Sequence, residues 1–399
     1  MNDIGSLGVI LLLALLAGHI VKFLRVPEVT GYLLAGVALG PSVLGWVGPE
    51  NLSALHALSE VALGLILFSI GTVFEFGHFR RVGRQLLTIT LVESAAAAIA
   101  VTLLLRLVGQ SWSVAFILGG LAIETAAAST LMVLRECNAR GQMTDVLVGV
   151  FALDNLLCLL TVNVVLAGIE FHVHSGVESN LVALYQLIVP FVWQIAGAVA
   201  LGYLVGFLLS VWSAKVVEHG EQLILLAGCV LFCVGISSLI HVSPLITNLT
   251  VGATLVNLSE RSRHFLESLS KTDPPLYAIF FVLAGADLDL SLLTTLGIPG
   301  AAYIGGRAFG KLAGTRAGAT LARTDGKVRR TLPFGMCAQA GLAIGLTLVI
   351  QRRAPHIAPA VTAVVLAAVI VFEMIGPLAV RWSVIWAGEA HGETDAPTF

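Results

Sequence analysis

Residues 145–169 read DVLVGVFALDNLLCLLTVNVVLAGI. As a helix rising 1.5 Å per residue, this stretch exceeds the ~30 Å hydrocarbon thickness of a bilayer. It shows no polar stripe at helical spacing, as a surface helix of a soluble protein would. Near its middle stand Asp154 and Asn155. An ionisable group at such a depth costs at least ~2.5 kcal/mol and marks a functional site by default.

The rest of the chain has the same character. Of its 399 residues, 57% are hydrophobic and 12% charged, whereas soluble domains carry about 25% charged residues. Mean hydropathy is +0.94. The bilayer is the solvent that such a chain requires. Thirteen candidate spans follow, near 6–24, 28–46, 53–73, 85–108, 113–135, 145–169, 183–212, 222–240, 243–258, 274–295, 298–322, 331–351 and 357–387. The expected fold is an all-α polytopic membrane protein, with a transmembrane domain over 1–387 and a short cytoplasmic tail at 388–399. The first span lacks a basic leading region and is read as retained rather than cleaved. A net charge of −2 gives no reason to expect nucleic acid. Cys137, Cys158, Cys229, Cys233 and Cys337 show neither zinc spacing nor a disulfide framework and are read as packing residues. No cofactor and no transition metal are expected.

Lysine and arginine set the orientation of a membrane chain. With the N-terminus outside, 16 of the 22 basic residues fall in inward loops, and only Arg106, Arg352 and Arg353 lie at outward ends. Arg307, Lys311 and Arg316 sit within one span. The chain also echoes itself: PEVTGYLLAGVALG at 27–40 and SPLITNLTVGATLVN at 243–257 share an early proline and a later glycine. That pattern suits inverted repeats, whose binding sites form at the repeat interface near the membrane midplane. Spans 1–6 and 8–13 would be the halves, with span 7 as the linker.

Three sites of buried charge stand out. Asp154 and Asn155 lie in span 6. Arg307 and Lys311 lie four residues apart in GGRAFGKLAGTRAG (305–318), on one helix face. Glu124 and Thr125 open LAIETAAASTLMVL (121–134), followed by small residues that include Ser129. A second small-residue run, Ala338 to Gly345, occupies span 12. Such runs permit close helix crossing, or a break whose free backbone groups face a cavity. Glu93 and Glu373 lie deeper than most but within reach of the headgroups. Glu60, Glu75, Asp287 and Asp289 are read as carboxylates near span ends. The structural reading of Asp154 is a charge buried to pair with Arg307 or Lys311.

Together these features resemble the monovalent cation:proton antiporter-2 family, which includes bacterial sodium/proton and potassium-efflux antiporters. The similarity covers nearly the whole chain, through VPEVTGYLLAGVALGPSVLG (26–45), LSEVALGLILFSIG (58–71), FFVLAGADLDL (280–290), GRAFGKLAG (306–314), QAGLAIGL (339–346) and EMIGPLAVRW (373–382). The resemblance implies a sodium/proton antiporter-like fold of inverted repeats, with discontinuous helices crossing at spans 5 and 12. It implies core helices near 85–169 and 298–351, dimer or panel helices near 1–73, 222–295 and 357–387, and a linker at 183–212. It further implies a homodimer in the bacterial inner membrane, surrounded by lipid, that exchanges sodium or potassium ions for protons by alternating access. In that reading a monovalent cation binds at Asp154, with Thr125, Ser129, Glu124 and Asn155 around it, while Lys311 and Arg307 balance charge. The family generally has aspartate as the second member of the span 6 pair; here that position is Asn155. A scaffold that no longer exchanges ions, an organic-anion transporter, and an aspartyl protease using Asp154 with Asp287 or Asp289 are the competing readings. The last lacks the expected catalytic motifs.

The basic-residue pattern makes one prediction directly. A cysteine introduced beside Arg329 should react with membrane-impermeant thiol reagents only from the cytoplasmic side, and labelling from outside would overturn the orientation.

Overall fold

The computed structural model describes residues 3–24, 26–47, 49–72, 76–174, 180–213, 215–216, 218–259, 273–288 and 297–391. The calls on Glu75, Asp289 and most of the tail lie outside the described residues, as do those on the inward cations Arg25, Arg261, Arg263 and Lys271. The helices run α1 (Asp3–Phe23), α2 (Glu28–Leu39), α3 (Pro49–Gly71), α4 (Phe76–Leu107), α5 (Trp112–Leu121), α6 (Ala127–Glu136), α7 (Gln142–His174) and α8 (Asn180–Ser213). They continue as α9 (His219–Leu239), α10 (Pro244–Leu258), α11 (Asp273–Ala286), α12 (Gly297–Leu321), α13 (Gly326–Gly335), α14 (Gly341–Arg353) and α15 (Ala358–Ala387).

Each of the thirteen expected spans therefore has its helix. The fifth and twelfth are each split in two, as α5–α6 and α13–α14. Five helices are individually long and apolar enough to cross a membrane, among the described residues. The others are shortened, broken, or diluted by glycine and charge. The tight turn between α9 and α10 works because His241 takes a left-handed conformation (φ 58°) and Ser243 caps α10 ahead of Pro244. Glu60 departs from expectation. It lies midway along α3 and is exposed, because α3 begins at Pro49, ahead of the expected span.

The chain divides into two compact units. In the first (Met1–His19, Tyr32–Arg81, Ile188–Asp287), glycine lets backbones touch. A Cβ on Gly36 would lie 2.1 Å from the Val282 carbonyl oxygen, and one on Gly285 2.3 Å from that of Leu33, so α2 and α11 meet without side chains between them. Gly71 and Gly252 do the same for α3 and α10. The second helix of one half thus packs on the third helix of the other, and vice versa, as two equivalent halves require.

The second unit (Ile20–Gly31, Val82–Leu187, Leu288–Phe399) contains both broken helices. Here α4 and α12 run antiparallel along a glycine ladder. Gly306 faces Val101, Gly310 faces Ala97, Gly314 faces Glu93 and Gly318 faces Ile89, one contact per helical turn. α15, grouped by family resemblance with the panel helices, packs within this unit. Ser383 donates to the Thr331 carbonyl at 2.7 Å, and Phe334 meets Trp382 edge-on at 4.7 Å. The N-terminus of α7 is closed from far along the chain: the Glu389 carboxylate accepts from the Met143 and Thr144 amides, both at 2.8 Å.

The ladder is testable by contrast within one helix. A Cβ at Gly310 would lie 2.6 Å from Ala97 Cα, whereas Gly305 has nothing within 4 Å. Gly310→Ala should therefore cost about 1–3 kcal/mol by overpacking, while Gly305→Ala should be neutral or slightly stabilising. Melting of the detergent-solubilised variants reads the difference directly.

Candidate functional site

The ladder does more than join two helices. With only glycine between the backbones, Lys311 on α12 lies opposite Glu93 on α4, and the two form an ion pair in which both side chains are fully buried. From α7, Asp154 enters the same point, with Oδ2 3.0 Å from Lys311 Nζ. The first helix break (122–126) adds the Thr125 hydroxyl, which donates to Asp154 Oδ2 at 2.8 Å and accepts from Lys311 at 2.8 Å. Lys311 also donates to the Ile123 carbonyl. The Ser94 hydroxyl lies within reach of both acids, 3.2 Å from Glu93 Oε2 and 3.3 Å from Asp154 Oδ1.

Four residues earlier on α12, Arg307 serves the second break (336–340). Its guanidinium donates to the carbonyls of Cys337 (2.8 Å), Ala338 (2.9 Å) and Glu124 (2.7 Å), and stacks on Phe372 with 4.3 Å from Cζ to the ring centroid. The breaks also join directly, since the Ala126 amide donates to the Ala338 carbonyl at 3.1 Å. Gln339 donates to the Leu121 carbonyl at 3.0 Å and to the Tyr303 hydroxyl at 2.7 Å. The Glu124 carboxylate lies at the start of α14, with both oxygens 3.3 Å from the Ala340 amide.

These contacts follow one electrostatic rule. A helix ending inside a membrane leaves unpaired carbonyls at its C-terminus and unpaired amides at its N-terminus, with partial charges to match. Lys311 and Arg307 lie at the C-terminal ends of α5 and α13. Glu124 lies at the N-terminal end of α14. The breaks thus fall at 122–126 and 336–340, just ahead of most of the small-residue runs, which form the second half-helices.

The structure brings Asp154, Thr125 and Lys311 to one point, with Glu124 and Arg307 beside it. Asp154 pairs with Lys311 rather than Arg307. Ser129 is fully buried on α6, near the Glu373 carboxylate rather than on Asp154. Asn155 is left out. It is half-buried one position on, about 100° around the helix, and its Oδ1 finds no hydrogen-bond partner. Glu93, Ser94, Tyr303 and Gln339 were not singled out from the sequence as site residues. Among the described residues, no group of three or more His, Cys, Asp or Glu side chains is placed to hold a metal ion.

Two helix breaks joined by a backbone hydrogen bond, with a buried aspartate and a lysine from separate spans beside them, form a distinctive arrangement. Residues 8–386 match the pattern of the transmembrane sodium/hydrogen exchangers. The chain belongs to that family. Its members are transporters that exchange cations for protons. The chain is 25% identical over 330 residues to the high-affinity Na(+)/H(+) antiporter NhaS3 of Synechocystis, covering 72% of this chain and 68% of that protein. It is 24% identical over 302 residues to a Na(+)/H(+) antiporter of Enterococcus hirae, covering 73% of this chain and 74% of the relative. Its fold matches the sodium proton antiporter MjNhaP1 of Methanocaldococcus jannaschii with a TM-score of 0.73 and 18% identity, over 98% of this chain and 99% of that one.

The role of Arg307 at the second break gives a prediction. Arg307→Lys keeps the charge but replaces two forked nitrogens, which reach carbonyls on both breaks, with one point donor on a different stem. Each charged hydrogen bond lost should cost about 1.5–3 kcal/mol, seen as a lower melting temperature in detergent. An unchanged melting temperature would show that the carbonyls find other partners.

Proposed function

We propose that this exchanger carries sodium against protons, and that Asp154 is the group to which either ion binds. The observation that carries this reading is the charge content of the second unit. Among the described residues, Glu93, Glu124, Asp154 and Glu373 are buried around the two breaks with Arg307 and Lys311 as the buried cations, while Glu389 is buried apart from them at the start of α7. Isolated buried charge is expensive, so two acids in excess favour the uptake of protons or small cations. Asp154 sits on Thr125 and Lys311, where a desolvated cation would find hard oxygen ligands. Sodium is preferred over potassium because the NhaS3 and Enterococcus relatives carry sodium in their names.

In this scheme the unit that contains the site moves as a body and exposes it to each side in turn. Its members are α4–α7 and α12–α14, the expected core, together with α15. The other unit, with α3 and α9–α11, is the stationary panel through which two copies would pair. The chain would lie in a bacterial inner membrane with its N-terminus outside and its C-terminus inside, following the basic-residue pattern. A regulatory scaffold without exchange and an organic-anion transporter are not favoured, because the buried excess is acidic and the amide at Asn155 stands apart from the cluster.

The test is reconstitution into proteoliposomes with an imposed pH gradient, adding sodium, potassium, lithium or no cation. Sodium should collapse the gradient, and Asp154→Asn should abolish that response while leaving the melting profile folded. A wild-type protein that moves no protons with any cation would refute exchange. A folded Asp154→Asn variant that exchanges normally would refute the role of Asp154 alone.

A further inference from the structure

We infer that Glu93 is the second carboxylate of the exchange site, and that Glu93, Asp154 and Lys311, with the Ser94 hydroxyl between the two acids, hold one proton or one cation as a unit. The inference deepens the proposed function and rests on it. Asn155, which stands where the family generally carries an aspartate, lies about 100° around α7 from Asp154 and leaves its Oδ1 without a partner. Glu93 arrives instead from α4, brought by Gly314, where a Cβ would lie 2.9 Å from Glu93 Cα.

A purely structural ion pair does not account for Glu93. Lys311 already has Asp154, Thr125 and the Ile123 carbonyl. The glycine ladder already joins α4 to α12. A second buried carboxylate adds a desolvation cost of several kcal/mol and leaves the cluster one negative charge in excess. The hydrogen-bond inventory shows the same deficit. Ser94 has one hydroxyl proton, and both acids lie at hydrogen-bond distance from it. It can serve only one of them at a time. One proton on either acid, or one monovalent cation between them, removes both the excess charge and the missing donor. The unit is therefore built to hold one or the other.

The groups facing Glu93 are few. α7 presents Asp154 and α12 presents Lys311. α5 meets α4 near Thr102 and Ala98 through Ala115 and Gly119, which carry no charge. Glu124 in the first break has Arg307 as its principal charged neighbour. Two carboxylates around one ammonium hold a proton more readily than one carboxylate does, since like charges oppose joint ionisation. Removing Glu93 leaves a neutral Asp154–Lys311 pair with little affinity for either ion.

The test measures sodium-driven proton movement in proteoliposomes across a range of pH for the wild type, Glu93→Gln, Glu93→Asp and Ser94→Ala. In Glu93→Gln the pH of half-maximal exchange should fall by about 1–3 units, and the sodium concentration for half-maximal rate should rise about tenfold or more, one pH unit corresponding to a factor of ten in proton affinity. Glu93→Asp should recover part of both shifts, and Ser94→Ala, which removes a donor to the ionised acids, should move the pH profile the opposite way by less. A uniform loss of rate in Glu93→Gln with both profiles unmoved would overturn the inference and leave Glu93 structural. If Glu93→Gln does not fold, unmoved profiles in both Glu93→Asp and Ser94→Ala would overturn it equally. Failure of the wild type to exchange at all would instead refute the proposed function itself.

Discussion

Everything at the centre of this protein depends on pairing backbone groups that water cannot reach. Two helices stop and restart inside the apolar layer, and the groups freed at each break must find partners within the protein. The breaks meet each other through the Ala126 amide and the Ala338 carbonyl. The carbonyls of Ile123, Glu124, Cys337 and Ala338 accept from Lys311 and Arg307, one helical turn apart on α12. Two long cations on one face serve two breaks, and this is why a span so rich in charge is tolerated. The acids then follow from the cations. Glu124 and Asp154 are the counter-charges of a device whose first task is to keep two broken helices in register, and Glu93 is a charge beyond that need.

Close approach makes that device possible. Lys311 reaches Glu93 and the first break only because α12 has no side chains on the face that meets α4. The same solution recurs in the other unit, where Gly36, Gly71, Gly252 and Gly285 bring backbone against backbone. Without a hydrophobic driving force between helices in lipid, such surfaces supply dispersion contacts that larger side chains would prevent. Glycine therefore performs two tasks here, packing throughout and placement of charge in one helix pair.

Much of this was legible in the chain. Span number followed from apolar run length, and even the tight His241–Pro244 connection proved real. Asp154, Arg307 and Lys311 stood out because nothing near them could bring them to water. Glu93 was harder to read. The polar stretch through Arg80, Arg81 and Arg84 set the expected start of its span at 85, so the glutamate looked shallow; the helix starts at Phe76, which places Glu93 well inside. Glu373 was underestimated in the same way and lies at the middle of α15. Asn155 misled differently, since adjacency in sequence suggested a pair, whereas one helical step turns it to another face. Depth and facing are properties of neighbours, and a single chain read alone does not display its neighbours.

The cap on α7 has a consequence for how the protein is made. The helix that carries Asp154 begins at Gln142, and the carboxylate that closes its first turn belongs to a residue 246 positions after Met143. A ribosome adding about 5–20 residues per second thus leaves tens of seconds between insertion of that helix and arrival of its partner. Through that interval its leading amides remain on interfacial water, and eight later helices enter the bilayer. Closure of α7 therefore follows the synthesis of α8 to α15, and the finished site waits on a residue far downstream of its own helix.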